Sequence, residues 1–232
     1  MINRAEHFII QNSIQKRRLI EYYEILEDKI SIIPTGFDDI IVEDVKNQPI
    51  PEHSGNIIMF SGRLSKYKGV FELINAFTEI SRANSNWNLW LIGDGPDRLS
   101  LETLVRSRGL SDRVKFLGLQ NMMDTIKYTN LCKIFVFPSY IESIPSSVLE
   151  AMALGKSIIV TNVGPIGIDL VDESCGVLIP PKNTKALKDG LLRLMSSDEL
   201  RQKLGRLAVK KVENITKEKM VEKTIEVYQK VL

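Results

Sequence analysis

Six short, almost purely apolar runs punctuate this sequence: Ile57–Phe60, Leu89–Ile92, Val114–Leu117, Ile134–Phe137, Ile158–Val160 and Val177–Ile179. Between them the apolar residues fall into helical spacing, which predicts helices over about 69–82, 97–109, 122–130, 147–154 and 184–195. A strand that is apolar throughout is covered on both faces, and strands separated by helices pair in parallel. The fold class that follows is α/β, an open parallel sheet of about six strands with helices on both faces. Right-handed crossovers bring every strand-to-helix loop to one edge, and that edge is where ligands of open sheets sit. Three of these loops are polar or glycine-rich: Ser61-Gly62-Arg63, Gly93-Asp94-Gly95-Pro96 and Ser139 to Ser147.

Upstream of the sheet, the chain reads as a strand (His7–Ile10), a charged amphipathic helix (about Ser13 to Leu26) and a short strand, Ile30 to Ile33. Pro34-Thr35-Gly36-Phe37-Asp38 is a turn by composition. From Glu43 to Gly55 the chain is polar and carries Pro49 and Pro51, the composition of a linker. The tail, about 197 to 232, reads as two charged helices, the second with an apolar stripe of Met220, Val221, Ile225, Tyr228 and Leu232. The expected division is an N-terminal unit over 1–45, a linker over 46–55, a sheet domain over 56–212 and a final helix over 213–232 packing back toward the N-terminal unit.

Composition narrows the function class. With 31 basic and 29 acidic residues the chain lacks the cationic excess of a nucleic-acid binder. Cys132 and Cys175 have neither metal-ligand nor disulfide-framework spacing, which fits a reducing, cytoplasmic setting. No apolar run approaches the ~18 residues of a membrane span, and the opening MINRAEHF lacks a signal-peptide layout. Peripheral contact at the inner face of the membrane stays open.

The stretch FPSYIESIPSSVLEAMALGKSIIVT, residues 137–161, concentrates the chemistry. It reads as a strand, a loop carrying Glu142, a helix opening at Ser146 or Ser147 with Glu150 in its first turn, and a second strand. A helix N-terminus at a ligand edge offers free N–H groups to an anion. The same letters also read as a capping box, Ser147-x-x-Glu150, and Glu142 as a solvated loop acid. Arg63 and Lys68, five residues apart on one loop, can grip a diphosphate as a fork and a point charge, with Lys66 a substitute for Lys68. Alternatively they are surface charges beside a helix start. Gly93-Asp94-Gly95-Pro96 reads as a tight turn with Pro96 near the first helical position. Phe116-Leu117-Gly118-Leu119 is a strand end on which a flat base can rest, or simply a strand end. His7 and His53 fall away from the ligand edge, no His or Cys cluster suggests zinc, and no GxGxxG follows the first sheet strand.

Taken together, SGRLSKYKGVFELINAF, LIGDGPDRLSLETL, RVKFLGL, FVFPSYIESIPSSVLEAMALGKSIIVTNVG and GVLIPP resemble, in order and spacing, the retaining glycosyltransferases of the GT-B fold, and more narrowly family 4 (group 1) with its Glu-x7-Glu motif. The resemblance spans about Asn56 to Asp198; upstream, HFIIQNS…ISIIPTGFD resembles the last strand–helix–strand of such an enzyme's N-terminal domain. It implies that the sheet is the Rossmann-like C-terminal half of GT-B and that residues 1–45 are a remnant of the acceptor domain. It implies a nucleotide-diphosphate sugar as donor, no cofactor, no metal, and an N-terminal acceptor domain or partner chain completing the cleft. By position, Arg63 and Lys68 match the basic pair that neutralises the donor diphosphate and the leaving group. Glu142 matches the acid near the donor sugar, Glu150 the acid on the ribose hydroxyls, Ser146 and Ser147 the N–H donors to sugar or phosphate oxygens, and Gly118 and Leu119 the segment under the base. Glu142, Arg63 and Lys68 are the catalytic candidates.

Two departures stand out. Where the family has Gly-Gly and Pro-Glu after the strand at 157–161, this chain has Gly164-Pro165-Ile166-Gly167-Ile168-Asp169, and no ligand role is carried there. Most of the acceptor domain is also lacking, so the chain alone is expected to transfer sugar weakly or not at all. The competing readings are a non-catalytic nucleotide-sugar-binding or regulatory partner subunit and a GT-B nucleotide-sugar epimerase.

Overall fold

In a computed structural model, residues 5–49 and 55–231 are described. The residues read as linker at 50–54, with Pro51 and His53, and Leu232 of the terminal stripe lie outside them. The sheet strands are β3 (Asn56–Ser61), β4 (Trp87–Ile92), β5 (Val114–Gly118), β6 (Ile134–Phe137), β7 (Ser157–Thr161) and β8 (Val177–Ile179). They pair in parallel in the order β5-β4-β3-β6-β7-β8. Helices α3 (Val70–Ser81), α4 (Arg98–Ser107), α5 (Met122–Leu131), α6 (Ser146–Ala153) and α7 (Thr184–Met195) fill the crossovers, followed by α8 (Asp198–Val212) and α9 (Lys217–Val231). Ile57, Ile58, Met59, Phe60, Ile134, Phe135 and Val136 are completely buried, as strands covered on both faces must be.

The strand order reverses between β3 and β6, so their carboxyl ends border the crevice of this sheet. Ladder pairing between them is confined to Ile58–Ile134 and Met59–Phe135. Beyond it the rings of Phe60 and Phe137 stack 5.7 Å apart. The loops on either side touch at Gly69, whose φ is +68° and where a Cβ would overlap the carbonyl of Pro138. Gly69→Ala is therefore expected to cost about 3 kcal/mol, combining backbone strain with separation of the two loops. The urea midpoint measures it.

A second, two-stranded parallel sheet joins β1 (Phe8–Ile10) to β2 (Ile30–Ile32) through α1 (Ser13–Tyr23), with Phe8 opposite Ile30. The turn after β2 meets the start of α9. The N–H of Phe37 donates to Ile215 O (3.1 Å) and that of Lys217 to Phe37 O (2.8 Å). Gly36 is required here, since a Cβ would overlap the backbone of Thr216.

The linker expectation fails at its start. Residues Asp39–Lys46 form α2, capped by Asp38, whose carboxylate accepts from Ile41 N at 3.2 Å. Val42 and Val45 are buried, and Asn130 on α5 donates to Val45 O at 3.1 Å. Two apolar residues three apart suffice to seat a short helix on the domain, although its exposed face is as polar as a linker.

Candidate functional site

A cleft of about 470 Å³ opens at the carboxyl ends of β3, β4 and β5, lined by Ser61 to Arg63, Ile92 to Gly95, Leu119, Gln120 and Thr125. Main-chain hydrogen bonds tie its loops together. Gly62 N donates to Ile92 O (3.0 Å), Gly93 N to Gly118 O (2.8 Å) and Leu64 N to Asp94 O (2.9 Å). Gly93, at φ +121°, leaves no room for a Cβ against Gly62 O, so Gly93-Asp94-Gly95 forms a wall of the cleft, and the turn comes slightly later, Arg98 N donating to Gly95 O (3.2 Å) around Pro96 and Asp97. Pro96 lies two residues ahead of α4 rather than at its first position, because Asp97 occupies the cap. Asp94 accepts from Gly95 N (2.7 Å) and Arg98 Nη1 (2.9 Å), which hold its carboxyl below the usual range. Leu119, 77% exposed, offers an apolar flat at the end of β5. Arg63 reaches solvent and makes no ion pair or side-chain hydrogen bond among the described residues.

Beside the cleft, at the junction of β3 and β6, Lys68 is ion-paired with Glu142. The pair is largely enclosed, with side-chain exposures of 25% and 13%. Lys68 Nζ also lies 5.3 Å from the centroid of Phe137. Ser139 Oγ is 2.9 Å from Glu142 Oε1, the same oxygen that Lys68 engages, so Oε2 is unengaged among the described residues. The loop is pinned by Tyr140 N donating to Tyr67 O (2.8 Å), by Thr161 Oγ1 donating to Ser139 O, and by Gly164, where a Cβ would overlap Glu142 O.

Helix α6 begins at Ser146 with Pro145 as its cap. Proline brings no acceptor side chain, so the N–H groups of Ser146 and Ser147 have no partner among the described residues. Uncapped N–H groups at a helix start attract anions. Ser147 Oγ donates instead to Ser61 O at 3.3 Å, tying this helix end to the cleft. The capping-box reading of Ser147 and Glu150 is thereby overturned, because the cap falls two residues earlier. Glu150 consequently lies in the second turn rather than the first. It is 8% exposed and faces Asp38 and Lys217, whose side chains pair at 2.9 Å. Burial pushes the Glu150 carboxyl up to about 7, against the pull of Lys217 and with the push of Asp38.

Arg63, Lys68, Glu142, Ser146, Ser147, Gly118 and Leu119 thus share one edge, and Glu150 sits one turn deeper along α6. Sequence reading missed Ser139, Tyr140, Gly164 and the Asp38–Lys217 pair. The one local signal among these was a glycine just past the end of β7. Among the described residues no group of three or more His, Cys, Asp or Glu is placed to hold a metal ion. No helix there is long and apolar enough to cross a membrane.

Known proteins place this architecture. An uncharacterised glycosyltransferase of Methanocaldococcus jannaschii is 30% identical over 213 residues, covering 87% of this chain and 59% of its own. The crystal structure of a glycosyltransferase from Rickettsia africae superposes with TM-score 0.84 at 22% identity, covering 97% of this chain and 63% of that one. Anabaena HepE in complex with UDP gives TM-score 0.83 at 19% identity, covering 97% and 64%. The chain therefore spans about three-fifths of the length of such proteins, and its six-stranded unit is the Rossmann-like C-terminal half of the GT-B fold. The model of "Glycosyl transferases group 1" matches residues 42–211, most of the chain, and the protein belongs to that family.

Proposed function

We propose that this chain is the nucleotide-sugar half of a retaining, metal-independent glycosyltransferase, with the acceptor presented by an N-terminal domain or partner chain. One observation carries the reading. At the switch point of the sheet lie Arg63, a Lys68–Glu142 pair and the start of α6, where, among the described residues, the guanidinium, one Glu142 oxygen and two N–H groups have no partner. The UDP held by the Anabaena neighbour supports the same donor class.

In this reading the base rests on Gly118 and Leu119, and the diphosphate takes Arg63 and the N–H groups of Ser146 and Ser147. Glu150 accepts from the ribose hydroxyls, and Glu142 Oε2 accepts from a sugar hydroxyl. As the bond from the anomeric carbon to the diphosphate oxygen breaks, negative charge builds on the departing phosphate. Arg63 and Lys68 neutralise it, and such preorganised electrostatics account for a large part of catalysis in sites of this kind. The acceptor hydroxyl attacks the anomeric carbon from the face the leaving group vacates and passes its proton to the departing phosphate oxygen, so configuration is retained. The domain boundary falls near Asp38, since α2 packs on the donor side.

Titrating UDP, GDP, ADP and CDP in the presence of EDTA tests this. Saturable binding of at least one diphosphate, unchanged by the chelator, is the expected result. Absence of binding for all four at millimolar concentration contradicts it.

A further inference from the structure

The Glu142 loop has an anchor that the donor contacts do not use. Tyr140, two residues before Glu142, sends its hydroxyl to Glu72 Oε1 on the first turn of α3 at 2.5 Å. Burial, then the bond to Glu72, holds the phenol well above its ordinary range, so it stays a donor. Lys182 Nζ lies 5.1 Å from the centroid of the Tyr140 ring. The second oxygen, Glu72 Oε2, is buried and has no partner among the described residues. A buried, half-satisfied carboxylate is an expensive way to hold a loop. A tyrosine packed in an apolar slot would serve stability alone better.

We propose that Glu72 and Tyr140 are positioning residues for the sugar end of the donor site. The charge-assisted bond fixes the backbone at Tyr140 so that Glu142 Oε2 faces the sugar while Oε1 stays with Lys68 and Ser139. This rests on the donor-site reading above and extends it. The anchor sits at the sugar carboxylate and leaves the base cleft untouched, because none of the residues lining that cleft contacts Tyr140 or Glu72 through the bonds described.

The test compares Tyr140→Phe and Glu72→Gln with the wild-type chain. Each is titrated with UDP, GDP and ADP and with their glucosyl conjugates, using the pair the wild type binds. Tyr140→Phe is expected to weaken the conjugate at least fivefold and the bare diphosphate less than twofold. Glu72→Gln takes the charge out of the bond to the phenol and is expected to weaken the conjugate two- to fivefold and the bare diphosphate less than twofold. Equal losses for conjugate and diphosphate, or no loss for either, overturn the proposal. Failure of the donor-site reading looks different: there, Arg63→Ala leaves diphosphate binding intact.

Discussion

Arg63→Ala is expected to weaken nucleoside diphosphate binding by about 10- to 100-fold, the worth of a charge-assisted fork on phosphate. Its urea midpoint should match wild type, because the guanidinium is exposed and makes no ion pair or side-chain hydrogen bond among the described residues. Stability and binding separate cleanly at such a position. Arg63→Lys should recover only part of the affinity, since an ammonium is a point charge without the fork. Calorimetric titration beside urea denaturation checks both halves. An unaltered affinity removes Arg63 from the site.

Glu150→Gln is expected to move stability and binding in opposite directions. The carboxyl titrates near 7 in the folded chain against an ordinary 4.5. Its raised value means that the folded state keeps a proton which the unfolded state releases. Stability from this group is therefore intact below pH 4.5, falls as pH rises from 4.5 to about 7, and is flat above. The full loss is about 3 kcal/mol. The glutamine variant carries no such titration, so it should equal wild type at pH 4.5 and exceed it by up to about that amount at pH 8. Diphosphate affinity should nevertheless fall, since an amide replaces the carboxylate proposed to accept from the ribose hydroxyls. A buried charge that weakens the fold while serving a ligand is the pattern expected of a functional group. Urea unfolding of both proteins at pH 4.5, 6 and 8, followed by titration at pH 8, gives the comparison. Equal stabilities at pH 8 contradict the assignment.

The sheet was legible because its strands are buried on both faces, which leaves nearly unbroken apolar runs. Convergence of Arg63, Lys68 and Glu142 followed from topology, since right-handed crossovers send every strand-to-helix loop to one edge. What escaped depended on distant partners. The short helix α2 hides its two buried valines among polar residues, and its cap, Asp38, sits in a segment that reads as turn. The serine pattern at Ser147 mimics a capping box because nothing local reveals that Pro145 already occupies the cap. Glu150 owes its perturbed carboxyl to burial and to Asp38 and Lys217, far away in sequence. Gly164 is explained by the Glu142 carbonyl it touches, and Glu72 by a tyrosine one strand away.

The proposed nucleoside diphosphate spans the β3–β6 crevice with its phosphates on the start of α6. Amide chemical shifts, followed as the diphosphate is added to isotope-labelled protein, test it most directly. The largest changes are expected at Gly62, Gly93, Leu119, Ser146 and Ser147, with β1, β2 and α9 beyond its first turn nearly still. Changes concentrated on α9 or on the two-stranded sheet, with Ser146 and Ser147 unmoved, contradict it.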